Sequence, residues 1–200
     1  MLFLSGDHAA VAATAPLRAP IGGEFRYSSG TTNLLCRILR TTFASDVEYL
    51  AYPEHRLFAT LGIQRGILET DPSGTFVGSS YGFLTARDWA RIGMLLCQDG
   101  QWHGQRLLPE GWVRESGQPT GPSHGRYGRH VWLNAAREDG GRTWPELPTN
   151  LLHLDGHEGQ YVAVFPTEQI VVVRLGCTKR GGFDLRGLLG GVLAACTASK

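Results

Sequence analysis

Two hundred residues with 42% hydrophobic content suffice for one globular domain, or a large part of a bigger one, with a sizeable core. Nineteen Lys and Arg stand against 18 Asp and Glu with no block of like charge, which argues against a nucleic-acid face or an anionic membrane surface and leaves a small molecule as the expected partner. No run approaches the roughly 20 apolar residues of a membrane span, and residues 1–4 are too short an apolar stretch for a signal segment, so the chain reads as cytoplasmic.

The four cysteines, Cys36, Cys97, Cys177 and Cys196, show no C-x-x-C spacing and are expected as free thiols. In chain order, Asp7 can cap a short helix over 8–15 that Pro16 stops, and a turn at 20–23 follows. Ser28 or Ser29 caps a second helix in which Leu34, Leu35, Ile38 and Leu39 recur at helical spacing, leaving Tyr27 at its exposed N-terminal end. A third helix is expected over 53–61, opened by Pro53 and closed by Gly62.

After the loop DPSGTFVGSSYG, Thr85 and Asp88 make a capping pattern for a helix with Trp89, Ile92, Leu95 and Leu96 on one face, ended by Asp99 and Gly100. Residues 101–148 are rich in turns, with one short strand candidate, HVWL, at 130–133. QYVAVF and IVVVRL are strands whose short link forces antiparallel pairing. A last helix, about 184–195, packs on them through Leu185, Leu188, Leu189, Val192 and Leu193. Helices followed by a hairpin and a covering helix imply an α+β fold. Two long strands are a poor sheet by themselves, so part of the sheet is expected to be missing.

FRYSSGTTNLL, then GSSYGFLTARDWARIGMLLCQDGQWHGQRLLPEGWV, then HLDGHEGQYVAVFPTEQIVVVRLG resemble, in the right order, the serine β-lactamase and penicillin-binding-protein superfamily. The resemblance runs over nearly the whole chain and is nearest to the esterase-like and 6-aminohexanoate-dimer-hydrolase-like members. It implies an antiparallel sheet packed with helices and a serine nucleophile in an S-x-x-K motif, where three-residue helical spacing sets the amine beside the hydroxyl. It also implies a Y-x-N tyrosine that relays the proton and a K-T-G-type strand that helps bind substrate beside the oxyanion hole. No cofactor is implied.

Carried over position by position, Tyr27 is the relay tyrosine, and Ser29 replaces the usual Asn as a substrate contact with one donor fewer. Asn33, a turn further on, could stand in only if the helix began later. The third motif falls on Leu154, Asp155 and Gly156, so the strand lysine is lost. His157 is the polar group left at that place, as in G-H-x-G-Q variants, and is taken as catalytic. Gly156, Glu158 and Gly159 are taken as substrate-binding, the glycines because they let backbone approach a ligand.

No serine has a lysine three residues later; the only lysines are Lys179 and Lys200. The expectation is that residues 1–200 are the C-terminal part of one catalytic domain, that Met1 is an internal methionine, and that the nucleophile lies upstream. A free tyrosine titrates near 10, so ionising it at neutral pH costs about 4 kcal/mol without a neighbouring cation. The chain alone is therefore expected to be inactive or nearly so, and to self-associate through an exposed sheet edge.

Three other patterns carry less. GSSYG satisfies G-x-S-x-G at Ser80, but a turn precedes it and the helix begins later, unlike a nucleophile elbow. His153, Asp155 and His157 alternate in HLDGH and invite a metal, yet on a Gly-broken strand they lack the i,i+4 helical geometry that aims two imidazoles at one ion. His103, His124 and His130 fall in turn text. The function classes left are a serine hydrolase acting on an ester or amide through an acyl-enzyme, and a non-catalytic remnant or small-molecule-binding module of the same fold.

Overall fold

Asp7 accepts a hydrogen bond from the Ala10 N–H at 2.9 Å and thereby opens the first helix. The computed structural model describes residues 5–179 and 182–198 and divides at Thr85 into two compact units. In the first unit come α1 (His8–Ala13), α2 (Ser29–Arg40), α3 (Asp46–Pro53), a π-turn (Glu54–Phe58) and α4 (Ala59–Leu61), followed by the short β1 (Ile67–Leu68) and β2 (Gly82–Phe83). In the second come α5 (Ala86–Cys97), β3 (Gln101–Trp102), β4 (Gln105–Arg106), α6 (Trp112–Ser116) and a 3-10 turn (Gly121–Ser123). It closes with β5 (Trp132–Leu133), β6 (Leu152–Gly156), β7 (Gln160–Phe165), β8 (Ile170–Arg174) and α7 (Leu185–Thr197). This is an α+β chain.

Local chemistry sets most boundaries. The Ser28 hydroxyl caps α2 through the Gly30 N–H, Asp184 caps α7 through Gly187 N–H, and Gly62, at φ +70°, ends α4 in the left-handed region. The third helix differs from its expected start. It begins at Asp46, where Ser45 and Glu48 form a cap, and Pro53 lies inside it. The missing Pro53 N–H is followed by the π-turn, with Ala59 N–H reaching back to Glu54 O.

The first unit packs around Tyr49, which has no exposed surface. Its hydroxyl accepts from Phe76 N–H at 3.0 Å, and its ring meets Phe43 and Phe76 at 5.6 and 4.7 Å. Asp71 organises the following turn by accepting from the backbone N–H groups of His8, Ser73 and Thr75. Arg37 ties that turn to α1 by donating to Asp7, Ser73 and Thr75.

In the second unit, β3 and β4 pair as a short hairpin, and the other four strands form one antiparallel sheet in the order β5-β6-β7-β8. The sheet thus has two strands more than the two long ones the sequence announces. Val162, Val164, Val171 and Val173 face the cluster that includes Leu133, Leu152, Trp89 and Met94. Ala163, Phe165, Ile170 and Val172 face the opposite cluster with Leu185 and Leu189 of α7. Helices on both faces explain why β7 and β8 read as nearly continuous apolar runs. Gly93 lets α5 approach the sheet, since a Cβ there would come within 2.6 Å of Val171. β8 is an outer strand, and among the described residues its free edge makes no backbone hydrogen bond.

Candidate functional site

Tyr27 immediately precedes the Ser28 cap of α2, and the residue is 56% exposed. Ser29 is the first residue of α2 and half-buried, so these two predicted residues do stand together at the helix N-terminus. Asn33 does not join them. It lies one turn inside α2, 1% exposed, with neither amide atom hydrogen-bonded. Because the helix starts at Ser29, Asn33 takes no place at its tip.

The predicted residues of the second unit share one turn. Gly156 and Gln160 pair across the β6–β7 hairpin, which leaves His157, Glu158 and Gly159 as its three-residue tip. Glu158 sits at φ +54° and Gly159 at φ +86°. The tip is fastened to the chain that follows β8. Glu158 O accepts from Thr178 N–H at 2.9 Å, its carboxylate accepts from the Cys177 thiol at 2.9 Å, and Arg174 donates to Gly159 O and to Thr178 Oγ1. The Gln160 amide and the Gly176 backbone bond each other in both directions. Phe183 supports the arginine, with the guanidinium 4.1 Å from its ring centre.

Held in this way, the backbone N–H groups of His157, Glu158 and Gly159 donate to no acceptor among the described residues. Consecutive N–H groups in a left-handed turn make an anion-binding concavity. The His157 side chain is 94% exposed, and its Nε2 lies 3.9 Å from the Glu158 carboxylate. The Glu158 carboxylate, through its hydrogen bond and its charge, pushes the Cys177 thiol above its ordinary pKa.

A second arrangement in this unit was visible in sequence only as an alternation. His153 and Asp155 share one face of β6, and His153 Nδ1 lies 2.6 Å from Asp155 Oδ1. His157, beyond the end of the strand, is not part of this pair. No group of three metal-ligating side chains occurs among the described residues. The buried His153 ring is stacked at 6.3 Å from Trp132, its cross-strand partner, and tilted at 4.7 Å from Trp144. Asn134, fully buried, holds Trp144 there by donating to Trp144 O at 2.9 Å and accepting from Trp144 N–H at 2.8 Å.

Ser80 does not form a nucleophile elbow. Its hydroxyl donates to Ser79 O at 2.7 Å, and it lies in a turn before β2, with α5 beginning only at Ala86.

Residues 4–189 match the family model described as Beta-lactamase. The 6-aminohexanoate-dimer hydrolase of Paenarthrobacter ureafaciens is 30% identical over 92 residues, which is 46% of this chain and 23% of that protein. A solved structure from Bacillus anthracis, provisionally described as a 6-aminohexanoate-dimer hydrolase, superposes with a TM-score of 0.70 at 21% identity, over 94% of this chain and 46% of its own. A beta-lactamase from Mycobacterium bovis gives 0.69 at 17% identity, over 96% of this chain and 74% of its own. The chain thus spans less than half the length of the two hydrolases, and at these identities the superpositions establish the fold. With the family model covering nearly all of its residues, the chain belongs to the beta-lactamase family.

Proposed function

We propose that this chain carries the substrate-side half of an acyl-transfer site in a serine hydrolase that cleaves an ester or amide. The observation that carries this reading is the β6–β7 tip, with three successive N–H donors unused by the described residues and fixed in place by Arg174, Gln160 and Glu158. Preorganised donors of this kind stabilise the oxyanion of a tetrahedral intermediate. His157 and Glu158 flank the donors, and the lack of a Cβ at Gly156 and Gly159 makes room for the Gln160 and Arg174 side chains that brace the tip. Tyr27, exposed beside Ser29, takes the role of proton relay to a serine in an S-x-x-K segment that this sequence does not contain.

The test has two arms. Titration with methylphosphonate, a tetrahedral anion, is expected to shift the backbone amide resonances of residues 157–159, and unmoved resonances would refute the oxyanion cradle. Hydrolysis of p-nitrophenyl acetate by the 200-residue chain is expected to stay at the buffer rate. Turnover that Tyr27→Phe abolishes would refute the claim that the nucleophile is absent. The lack of any S-x-x-K also favours a second reading, a non-catalytic binding module of the same fold. That reading predicts no activity even when an S-x-x-K segment is restored upstream.

A further inference from the structure

On the second unit, a groove of about 610 Å³ runs between the C-terminal end of α5, the β3–β4 turn and the β7–β8 turn. Its lining includes Met94, Gln98, Gln101, Trp102, His103 and Gln169, with no Asp, Glu, Lys or Arg. Three glutamines around one indole give the groove many neutral hydrogen-bonding groups and one broad apolar surface. The glutamines are not equivalent. Gln169 Nε2 donates to Pro166 O at 2.6 Å and Cys97 O at 3.2 Å, which commits its donors and leaves its carbonyl oxygen as a fixed acceptor. Gln98 and Gln101 are exposed and line the groove, so each side-chain amide presents both donor and acceptor to it.

His103 at φ +47° and Gly104 at φ +80° are the central residues of the two-residue turn joining β3 to β4, and Gln169 stands at φ +59°. A two-residue loop with both φ positive is the one a tight antiparallel hairpin favours, so this turn sets where Trp102 and Gln105 pair. The His103 ring meets the Trp102 indole edge-on at 4.9 Å and 73°, which fixes the indole plane.

We propose that this groove is a binding site for a neutral polyhydroxylated ligand, a saccharide. Each sugar hydroxyl both donates and accepts, as Gln98 and Gln101 do, and the apolar C–H face of a pyranose stacks on an indole. The volume lies within the range of small-ligand sites, and the absence of fixed charge disfavours ionic ligands. The site is independent of the acyl-transfer reading and stands if that reading fails.

Cellotriose, maltotriose and triacetylchitotriose are each titrated into the intact chain, with the Trp102 indole N–H and the Gln98 and Gln101 side-chain amides followed by NMR. At least one sugar is expected to shift these resonances saturably, and Gln98→Ala to weaken it roughly fivefold, the loss of one net hydrogen bond. Gln98→Glu, an exposed change that leaves the packing alone, is expected to weaken binding without altering the melting temperature. Trp102→Ala should abolish it. No saturable shift with any of the three sugars, equal shifts with adenosine, or binding unaffected by both Gln98→Glu and Trp102→Ala would overturn the proposal.

Discussion

His153 donates from Nδ1 to the Asp155 carboxylate at 2.6 Å while its ring is enclosed by Trp132 and Trp144. The imidazole is buried, whereas the Asp155 side chain is one-third exposed, so among the described residues the carboxylate is the acceptor for the Nδ1 of a buried ring. Asp155→Ala leaves that donor unpaired and is expected to cost about 1–3 kcal/mol. Asp155→Asn keeps an acceptor and is expected to cost less. Urea midpoints followed by tryptophan fluorescence check both values, and equal losses would mean that the hydrogen bond contributes nothing beyond packing.

The Cys177 thiol donates to Glu158 and is pushed above its ordinary pKa by that carboxylate. At neutral pH it is therefore more fully protonated than a free thiol, and the thiolate is the reactive species. Glu158→Gln removes the charge, so alkylation of Cys177 by iodoacetamide at pH 7.5 is expected to speed up severalfold, as read by peptide mass spectrometry. A rate unchanged by the substitution would contradict the contact.

Three carboxylates of the first unit sit below the usual carboxylate range. For Asp7 the main cause is the Ala10 N–H, with Arg37 adding to it, and for Asp46 it is the Arg40 guanidinium. For Asp71, burial alone would raise the value, but the hydrogen bonds from Ser73, His8 and Thr75 outweigh it. Groups with a depressed folded-state pKa contribute stability that is present above their unfolded values and is lost as pH falls through the folded ones. The first unit is thus expected to hold its stability down to about pH 5 and to lose it progressively below about pH 4. All five tryptophans lie after Thr85 and two of the tyrosines, Tyr127 and Tyr161, do too, so the Tyr49 NMR resonances are the probe that reports on this unit. A flat profile down to pH 2 would rule out these contacts.

β8 reads IVVVR, with no proline and with one charge, at its end, and its outer edge is unpaired among the described residues. Such an edge is a template for another strand. We propose that the chain self-associates here, antiparallel about Val172, which sets Arg174 opposite Ile170 of the second copy and keeps the two guanidinium groups apart. Sedimentation equilibrium is expected to show mass rising with concentration, and hydrogen exchange to show β8 amides becoming protected in parallel. A monomer at every concentration would refute this.

What the sequence made legible was local. Asp7, Ser28, Gly62 and Asp184 mark their helix ends because a cap needs only a few neighbouring residues. Ser45 and Glu48 spell the same signal, but Pro53 offered a stronger apparent start and hid the true one. β6 was harder to see because its polar residues His153 and Asp155 share a face on which His153 meets Trp144, brought in from a separate loop by Asn134. The site residues divide in the same way. That Tyr27 and Ser29 stand at a helix start and that 157–159 form a turn was legible through motif resemblance. The freedom of the turn's N–H groups depends on backbone angles and on Arg174 and Gln160, so no short motif could announce it.

Pro53 has a final effect on how the long helical segment from Asp46 to Leu61 comes apart. A helix ordinarily frays from its two ends. Here the ladder is already interrupted in the middle, where one donor is missing and the next turn closes over five residues instead of four. Solvent therefore gains a third point of entry, and deuterium should invade around residues 53–58 before it reaches Tyr49 on one side or Leu61 on the other.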